Sequence, residues 1–313
     1  MTSGARDGHE PVLLDAVLEA LDPCERGIYV DATFGRGGHS EAILKQLGPQ
    51  GQLLALDRDP DAVEHGRARL ARDPRVRIEQ ASFGDLERVA REHGVLGRVD
   101  GLLLDLGISS PQLEDASRGF SFLREGPLDM RMDPGGGVTA AQWLEGASEA
   151  EIARVLKDYG EERFARRIAR AICEARGHRP VRSTGELAEL IARAVPRREP
   201  NKHPATRSFQ AIRIYINQEL QALEAGLQQS LHVLAPGGRL VVITFHSLED
   251  RLVKRFIRRQ ERGPELPRGL PVREAERPST MRAIGKPVHP DEAEVARNPR
   301  ARSATLRAAE RLP

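Results

Sequence analysis

Apolar positions along the chain follow two rhythms. Short runs rich in Leu, Ile and Val, at Ile28 to Val30, Gln52 to Leu56, Arg75 to Glu79 and Val99 to Leu104, predict buried strands. Between them the spacing is helical. Leu13, Leu14, Val17, Leu18 and Leu21 share one face up to Asp22-Pro23, an expected lid over the ligand end of the sheet. Glu41 to Leu47, Ala62 to Leu70 and Leu86 to His93 follow the same pattern. Such alternation predicts an α/β fold with a doubly wound parallel sheet. The rhythm then breaks: the next sheet strand, Arg239 to Phe245, comes more than a hundred residues later. A parallel crossover needs only a dozen or so residues, so something is inserted.

The inserted stretch predicts helices. Ser148 with Glu151 has capping-box spacing and precedes Ile152, Val155 and Leu156; Glu161 to Glu174 carries Phe164, Ile168 and Ile172; Ser183 with Glu186 opens a third that Pro196 stops. Ser208 then begins a long helix through Phe209, Ile212, Ile216, Leu220, Leu223, Leu227 and Leu231, the crossover back to the sheet, ending at Pro236-Gly237-Gly238. Beyond the fifth strand, Leu248 to Arg259 predicts a helix, Gly263 to Pro290 an irregular surface loop, and Ala304 to Ala309 a last antiparallel strand. The expected domains are 1–112 with 208–313 for the sheet, and 113–207 for a small inserted helical domain.

Candidate chemistry gathers at the strand ends. The first strand runs into Asp31 and a glycine-rich turn, Gly35-Arg36-Gly37-Gly38, that lets a ligand approach the backbone. A dinucleotide fingerprint would want glycine at position 40, where Ser40 stands. The second strand ends in Asp57, 22 residues after Gly35, placed to accept ribose hydroxyls. The alternative for Asp57 is a surface turn acid, since Asp57-Arg58-Asp59-Pro60 also has turn chemistry. Phe83 follows the third strand, where it either meets an adenine ring or joins the core. Asp105 ends the fourth strand beside the switch point, ahead of a polar loop with Gly107, Ser109, Ser110 and Pro111.

Composition narrows the class. In 313 residues, 30% are charged but the net charge is +2, so any polyanion site is a local patch. Such patches exist: Arg163, Arg166, Arg167, Arg170, Arg176, Arg179, Arg182, Arg197, Arg198, Lys202 and Arg207 in the insertion, and Arg251, Lys254, Arg255, Arg258 and Arg259 after the fifth strand. Two cysteines, Cys24 and Cys173, cannot build a disulfide framework or a four-ligand zinc site. No run approaches the ~18 apolar residues of a membrane span. A cytoplasmic protein without a metal site and without a membrane is expected.

Six stretches together resemble one family, the RsmH (MraW) methyltransferases. They are Asp31-Ala-Thr-Phe-Gly-Arg-Gly-Gly-His-Ser40, Leu104-Asp-Leu-Gly-Ile-Ser-Ser-Pro-Gln112, Gly126-Pro-Leu-Asp-Met-Arg-Met-Asp133, Lys202-His-Pro-Ala-Thr-Arg207, Thr244-Phe-His-Ser-Leu-Glu-Asp-Arg251 and Asn298-Pro-Arg-Ala-Arg-Ser303. The resemblance implies a class I methyltransferase sheet with a helical insertion that recognises substrate. It implies transfer of a methyl group from S-adenosylmethionine to N4 of a cytidine in the decoding region of bacterial small-subunit (16S) ribosomal RNA, in an assembled or nearly assembled 30S subunit. By position it gives Gly37, Gly38, His39, Asp57, Phe83, Asp105 and Gln112 to the cofactor. Asp105 also stands after the fourth strand, where other amino-methyltransferases place the catalytic acceptor, so it is either that acceptor or a contact to the cofactor alone. Phe120 or Phe122 would stack the target base, and Ser109, Ser110 and Asp133 would discriminate it. A homodimer stays open. Three alternatives compete with this reading: a DNA cytosine-N4 methyltransferase, whose usual motif is absent; a dinucleotide oxidoreductase, which Ser40 disfavours; and a non-catalytic RNA-binding assembly factor.

Overall fold

The structure is a computed structural model that describes residues 11–196, 203–263 and 279–313. The elements in chain order are α1 (Leu14–Leu21), β1 (Ile28–Asp31), α2 (Gly38–Gln46), β2 (Gln52–Asp57), α3 (Pro60–Leu70), β3 (Val76–Gln80), α4 (Leu86–Glu92) and β4 (Val99–Asp105). Then come α5 (Ser110–Glu114), α6 (Ala140–Gly146), α7 (Glu149–Gly160), α8 (Ala165–His178), α9 (Thr184–Ala194), α10 (Thr206–Asn217) and α11 (Glu219–Val233). The chain closes with β5 (Leu234–Thr244), α12 (Ser247–Arg262), β6 (Met281–Val288), α13 (Glu292–Arg297) and β7 (Thr305–Arg311). These fall into two compact units, Met1–Gly107 with Leu220–Pro313, and Ile108–Glu219.

The first unit is a seven-stranded sheet in the order β3-β2-β1-β4-β5-β7-β6. β1 to β5 are parallel, while β7 runs antiparallel to both β5 and β6. The expected class, α/β with a doubly wound class I methyltransferase sheet, is the one observed. Alternate residues of each central strand feed opposite faces, as the period of two requires. Val30, Leu102, Leu104 and Val242 join Leu86, Val89, Leu227, Val253 and Phe256 on one side. Tyr29, Leu103, Val241 and Ile243 join Val17, Leu21, Ile43 and Val63 on the other. α1 therefore packs on a face of the sheet, rather than forming the lid expected from sequence.

The second unit is helical and has its own core of Trp143, Ile152, Val155, Ile168, Ile172, Leu187, Ile191, Phe209 and Ile212. The caps expected at Ser148 and Ser183 are present, each side chain accepting the N–H of Glu151 or Glu186. The Glu151 carboxylate accepts from Trp143 Nε1–H at 3.1 Å and the Tyr215 hydroxyl at 2.9 Å, which holds it below the usual carboxylate range.

Several expectations need correction. The single helix from Ser208 to Leu231 is two, α10 and α11, broken at Gln218 with φ +53. The apolar stripe runs through the break because each half buries its own side, α10 in the helical core and α11 in the sheet core. For the same reason the second unit spans Ile108–Glu219 where 113–207 was expected. β5 begins at Leu234, with Pro236-Gly237-Gly238 lying in an irregular stretch opposite Val99 and Gly101. Part of the loop expected at Gly263 to Pro290 is β6, a mostly exposed edge strand without the apolar alternation that marks a strand in sequence; positions 264–278 lie outside the described residues. α5 and α6 are too short to have shown a period.

Asn217 closes the helical unit. It is 1% exposed. Its Oδ1 accepts the Met132 N–H at 2.7 Å, and its Nδ2 donates to the Met130 carbonyl at 2.7 Å. Asn217→Ala would orphan both groups, at roughly 1–3 kcal/mol each. We expect hydrogen exchange in Ile108–Glu219 to speed up accordingly, and unchanged protection would contradict this role.

Candidate functional site

The strand order reverses between β1 and β4, and there the carboxyl ends of β2, β1 and β4 lie side by side. Each ends in an aspartate: Asp57, Asp31 and Asp105. The loop between β1 and α2 stitches these ends together. Ala32 N–H donates to the Leu103 carbonyl at 3.0 Å, and Phe34 N–H to the Leu56 carbonyl at 2.8 Å. The Asp105 N–H donates to Thr33 Oγ1 at 2.7 Å. Gly37, at φ +80, lies against the Phe34 ring, and a Cβ there would sit 2.6 Å from it. A Cβ on Gly38, the first residue of α2, would meet Pro11 at 2.3 Å.

The three carboxyls are satisfied unequally. Asp31 is buried, and its Oδ2 accepts the Ser40 hydroxyl at 2.7 Å while Oδ1 accepts the Thr33 N–H at 3.2 Å. Burial still raises its pKa above the ordinary carboxylate value. Asp57 accepts Gly35 N–H at 2.7 Å on one oxygen and Asp59 N–H at 2.9 Å on the other. Each oxygen keeps a lone pair for a further donor. Burial pushes its pKa up to about 6, against those two bonds and with help from the Asp59 and Asp31 charges.

Asp105 has the poorest provision. Its Oδ2 lies 3.6 Å from His39 Nδ1, and its side chain is 25% exposed. Its Oδ1 is nevertheless sealed from solvent and has no hydrogen-bond partner among the described residues. Desolvation pushes the group up to about 6, the neighbouring His39 opposes this, and the Asp31 and Glu249 charges add to it. His39 is itself buried, with Nε2 3.0 Å from the Val12 carbonyl. A carbonyl only accepts, so Nε2 carries the hydrogen and Nδ1 is the atom turned to Asp105.

The first unit thus brings together Gly37, Gly38, His39, Asp57 and Asp105. Phe83 stands after β3, half-buried, in a turn that Ser82 caps, its ring against the position of Gly226 on α11. Gln112 belongs to the second unit, where its Oε1 accepts the Ser109 N–H at 2.9 Å and closes the capping box of α5. Of the two stacking candidates, Phe120 is buried in the helical core, and Phe122 stacks on His203 at 4.6 Å. Within the insertion's basic patch, Arg176 bonds the Leu144 and Ala147 carbonyls, Arg179 pairs with Glu186, and Arg207 donates to the Glu161 carbonyl. Arg197, Arg198 and Lys202 lie outside the described residues. Among the described residues no His, Cys, Asp and Glu group could hold a metal ion, and no helix is long and apolar enough to cross a membrane.

Sequence reasoning missed Asp31, Thr33 and Ser40 as supports of the site. In the sequence, Ser40 closes a family stretch and stands where a dinucleotide fold has glycine; in the structure its buried hydroxyl donates to Asp31 and anchors α2 to the end of β1. Glu249, 2% exposed and accepting the Phe245 N–H at 2.9 Å, was also missed.

Residues 6–312 match the family model described as the MraW methylase family. The protein named ribosomal RNA small subunit methyltransferase H of Thioalkalivibrio sulfidiphilus is 58% identical over 313 residues, covering 100% of both chains. Among solved structures, an rRNA methylase from Streptococcus thermophilus has a TM-score of 0.43 at 12% identity, covering 96% of this chain and 94% of its own. A putative rRNA-methylase from Clostridium thermocellum has a TM-score of 0.45 at 10% identity, covering 97% and 98%. Structural likenesses of that size carry no conclusion.

The raised carboxyls tie stability to pH. Asp57 and Asp105 hold protons up to about pH 6 when folded, against an ordinary 3.8, and Asp31 shifts the same way. Between about pH 4 and pH 6 the folded chain therefore binds more protons than the unfolded one, and stability falls as pH rises. Denaturant unfolding across this window should show the fall, and Asp57→Asn with Asp105→Asn should flatten it. An unchanged slope in the double variant would contradict the assignment.

Proposed function

Because the chain belongs to the MraW methylase family, we propose that it methylates N4 of a cytidine in the decoding region of bacterial small-subunit (16S) ribosomal RNA, with S-adenosylmethionine as the donor. The observation that carries this reading is the Asp105 carboxylate at the end of β4, with one oxygen buried and unpartnered. The chain's own residues suit the cofactor. Asp57 retains lone pairs for the two ribose hydroxyls, and the Gly37-Gly38 turn lies at the switch point. Phe83 borders the adenine side, and His39 the methionine side next to Asp105.

S-adenosylmethionine supplies a methyl group already activated by its sulfonium, so a strong base is not needed. The difficulty lies in the acceptor, because the N4 lone pair of cytosine is delocalised into the ring. A carboxylate oxygen that accepts the amino hydrogens draws the nitrogen towards tetrahedral geometry and stabilises the positive charge developing there. Asp105 has acceptor capacity to spare for this, and its side chain is 25% exposed. His39 stands beside the other oxygen, and Thr33 fixes the backbone at the strand end. As the sulfonium–methyl bond gave way to the N4–methyl bond and left a neutral thioether, Asp105 would take the surplus N4 proton.

The target base must be unpaired or flipped out to reach the donor. We assign RNA recognition to the helical unit, Ile108–Glu219, and take the substrate to be an assembled or nearly assembled small subunit in the cytoplasm. The test is transfer of label from S-adenosylmethionine to small-subunit RNA at several assembly stages. Asp105→Ala should lower turnover by on the order of a hundredfold while RNA affinity changes little. Asp57→Ala should weaken cofactor binding in calorimetry, since each lost bond to a charged acceptor is worth roughly 1.5–3 kcal/mol. Normal turnover in the first variant, or an unchanged dissociation constant in the second, would remove that residue from the scheme.

A further inference from the structure

The helix after β5 carries an arrangement that the cofactor site does not use. α12 buries Val253, Phe256 and Ile257 in the sheet core and turns Lys254, Arg255, Arg258, Arg259 and Arg262 to solvent. Lys254 and Arg258, Arg255 and Arg259, and Arg258 and Arg262 are each four residues apart. Like charges at that spacing destabilise a helix by roughly 0.2–0.5 kcal/mol per pair. The helix's own acids offer no relief. Glu249 is buried and accepts the Phe245 N–H, Asp250 pairs with Arg307 at 2.7 Å, and Glu261 accepts the Ala283 N–H at 3.0 Å. Among the described residues, none of these five cations pairs with a carboxylate.

Several surface arginines elsewhere in the unit are paired with acids. On α4, Arg88 pairs with Glu92 at 2.9 Å and Arg91 with Glu87 at 2.6 Å, both at the favourable spacing. Arg69 pairs with Glu41, and Arg75 with Asp73 at 2.7 Å. The concentration of uncompensated positive charge on α12 therefore has a local cost that α4 avoids. An external polyanion would repay it.

We propose that the outer face of α12 is a phosphate-binding ridge that holds the RNA backbone, a contact made by the catalytic unit itself in addition to any made by the helical unit. Four residues of helix rise about 6 Å, so Lys254 with Arg255 and Arg258 with Arg259 form two successive steps of paired cations. α12 starts directly after β5, whose Ile243 is paired with Asp105, so the ridge leads away from the strand ends that carry the chemistry. An anionic membrane is the less suitable occupant. A basic helix binds a bilayer through a free apolar face, and that face of α12 is buried in the core.

The proposal rests on the RNA substrate proposed above, and its test separates the two. Binding of protein-free small-subunit RNA is measured against salt for the unmodified protein and for a variant with Lys254→Gln, Arg255→Gln, Arg258→Gln and Arg259→Gln. Each phosphate contact contributes about 0.7–0.9 to the slope of log affinity against log salt, so the variant's slope should shrink by about three. Its affinity at low salt should fall at least tenfold. Cofactor affinity should be unchanged, and thermal stability unchanged or raised, because repulsion along the helix is relieved. A control with Arg88→Gln and Arg91→Gln, which are already paired, should keep the full slope. Equal affinity and slope in the four-site variant would overturn the ridge, as would unmodified protein that prefers phosphatidylserine vesicles to RNA. Unmodified protein that binds RNA through these residues but transfers no methyl group to small-subunit RNA at any assembly stage would support the ridge and refute the methylation proposed above.

Discussion

Three carboxyl groups end three adjacent parallel strands, and much of the first unit serves to hold them there. Burying one carboxylate costs several kcal/mol unless it is bonded, and placing three together adds mutual repulsion. The β1–α2 loop answers this with short local bonds. Ser40 and Thr33 serve Asp31, and Gly35 with Asp59 serves Asp57. Asp105 receives less, a histidine at 3.6 Å and an oxygen with no partner among the described residues. That inequality sets Asp105 apart from the other two. Asp31 anchors, Asp57 is half-satisfied and suited to a ribose, and Asp105 keeps acceptor capacity for a substrate.

The same arrangement explains the character of the loop. Gly37 and Gly38 stand where Phe34 and Pro11 leave no room for a side chain. Ser40 occupies the position where a dinucleotide fold would place a glycine, and its hydroxyl is spent on Asp31. His39 comes between them, held by the Val12 carbonyl so that a defined nitrogen faces Asp105. The sequence from Asp31 to Ser40 thus couples backbone geometry to the electrostatics of the strand ends.

Much of this was legible before the structure. The parallel strands were short, strongly apolar runs, and the acids at their ends were conspicuous because each interrupts such a run. The break after Asp105 announced the insertion by length alone. The rest was hidden for identifiable reasons. The division at Gln218 falls within an unbroken apolar stripe, since periodicity reports that a face is buried but not in which core. β6 is a mostly exposed edge strand containing Gly285 and Pro287, so it had the composition of a loop. Arg176 looked like a surface cation and instead bonds the carbonyls at Leu144 and Ala147. The partnering of Asp31 with Ser40 is a contact across a turn that composition cannot show.

The central claim is that the Asp105 carboxylate selects an exocyclic amine as the methyl acceptor. Nucleoside mass spectrometry of small-subunit RNA, after reaction with the protein and labelled S-adenosylmethionine, tests it most directly. The account predicts label in N4-methylcytidine. Label in C5-methylcytidine, a product that needs no acceptor for amino hydrogens, would contradict it, and label in N6-methyladenosine would keep the chemistry but refute the choice of base.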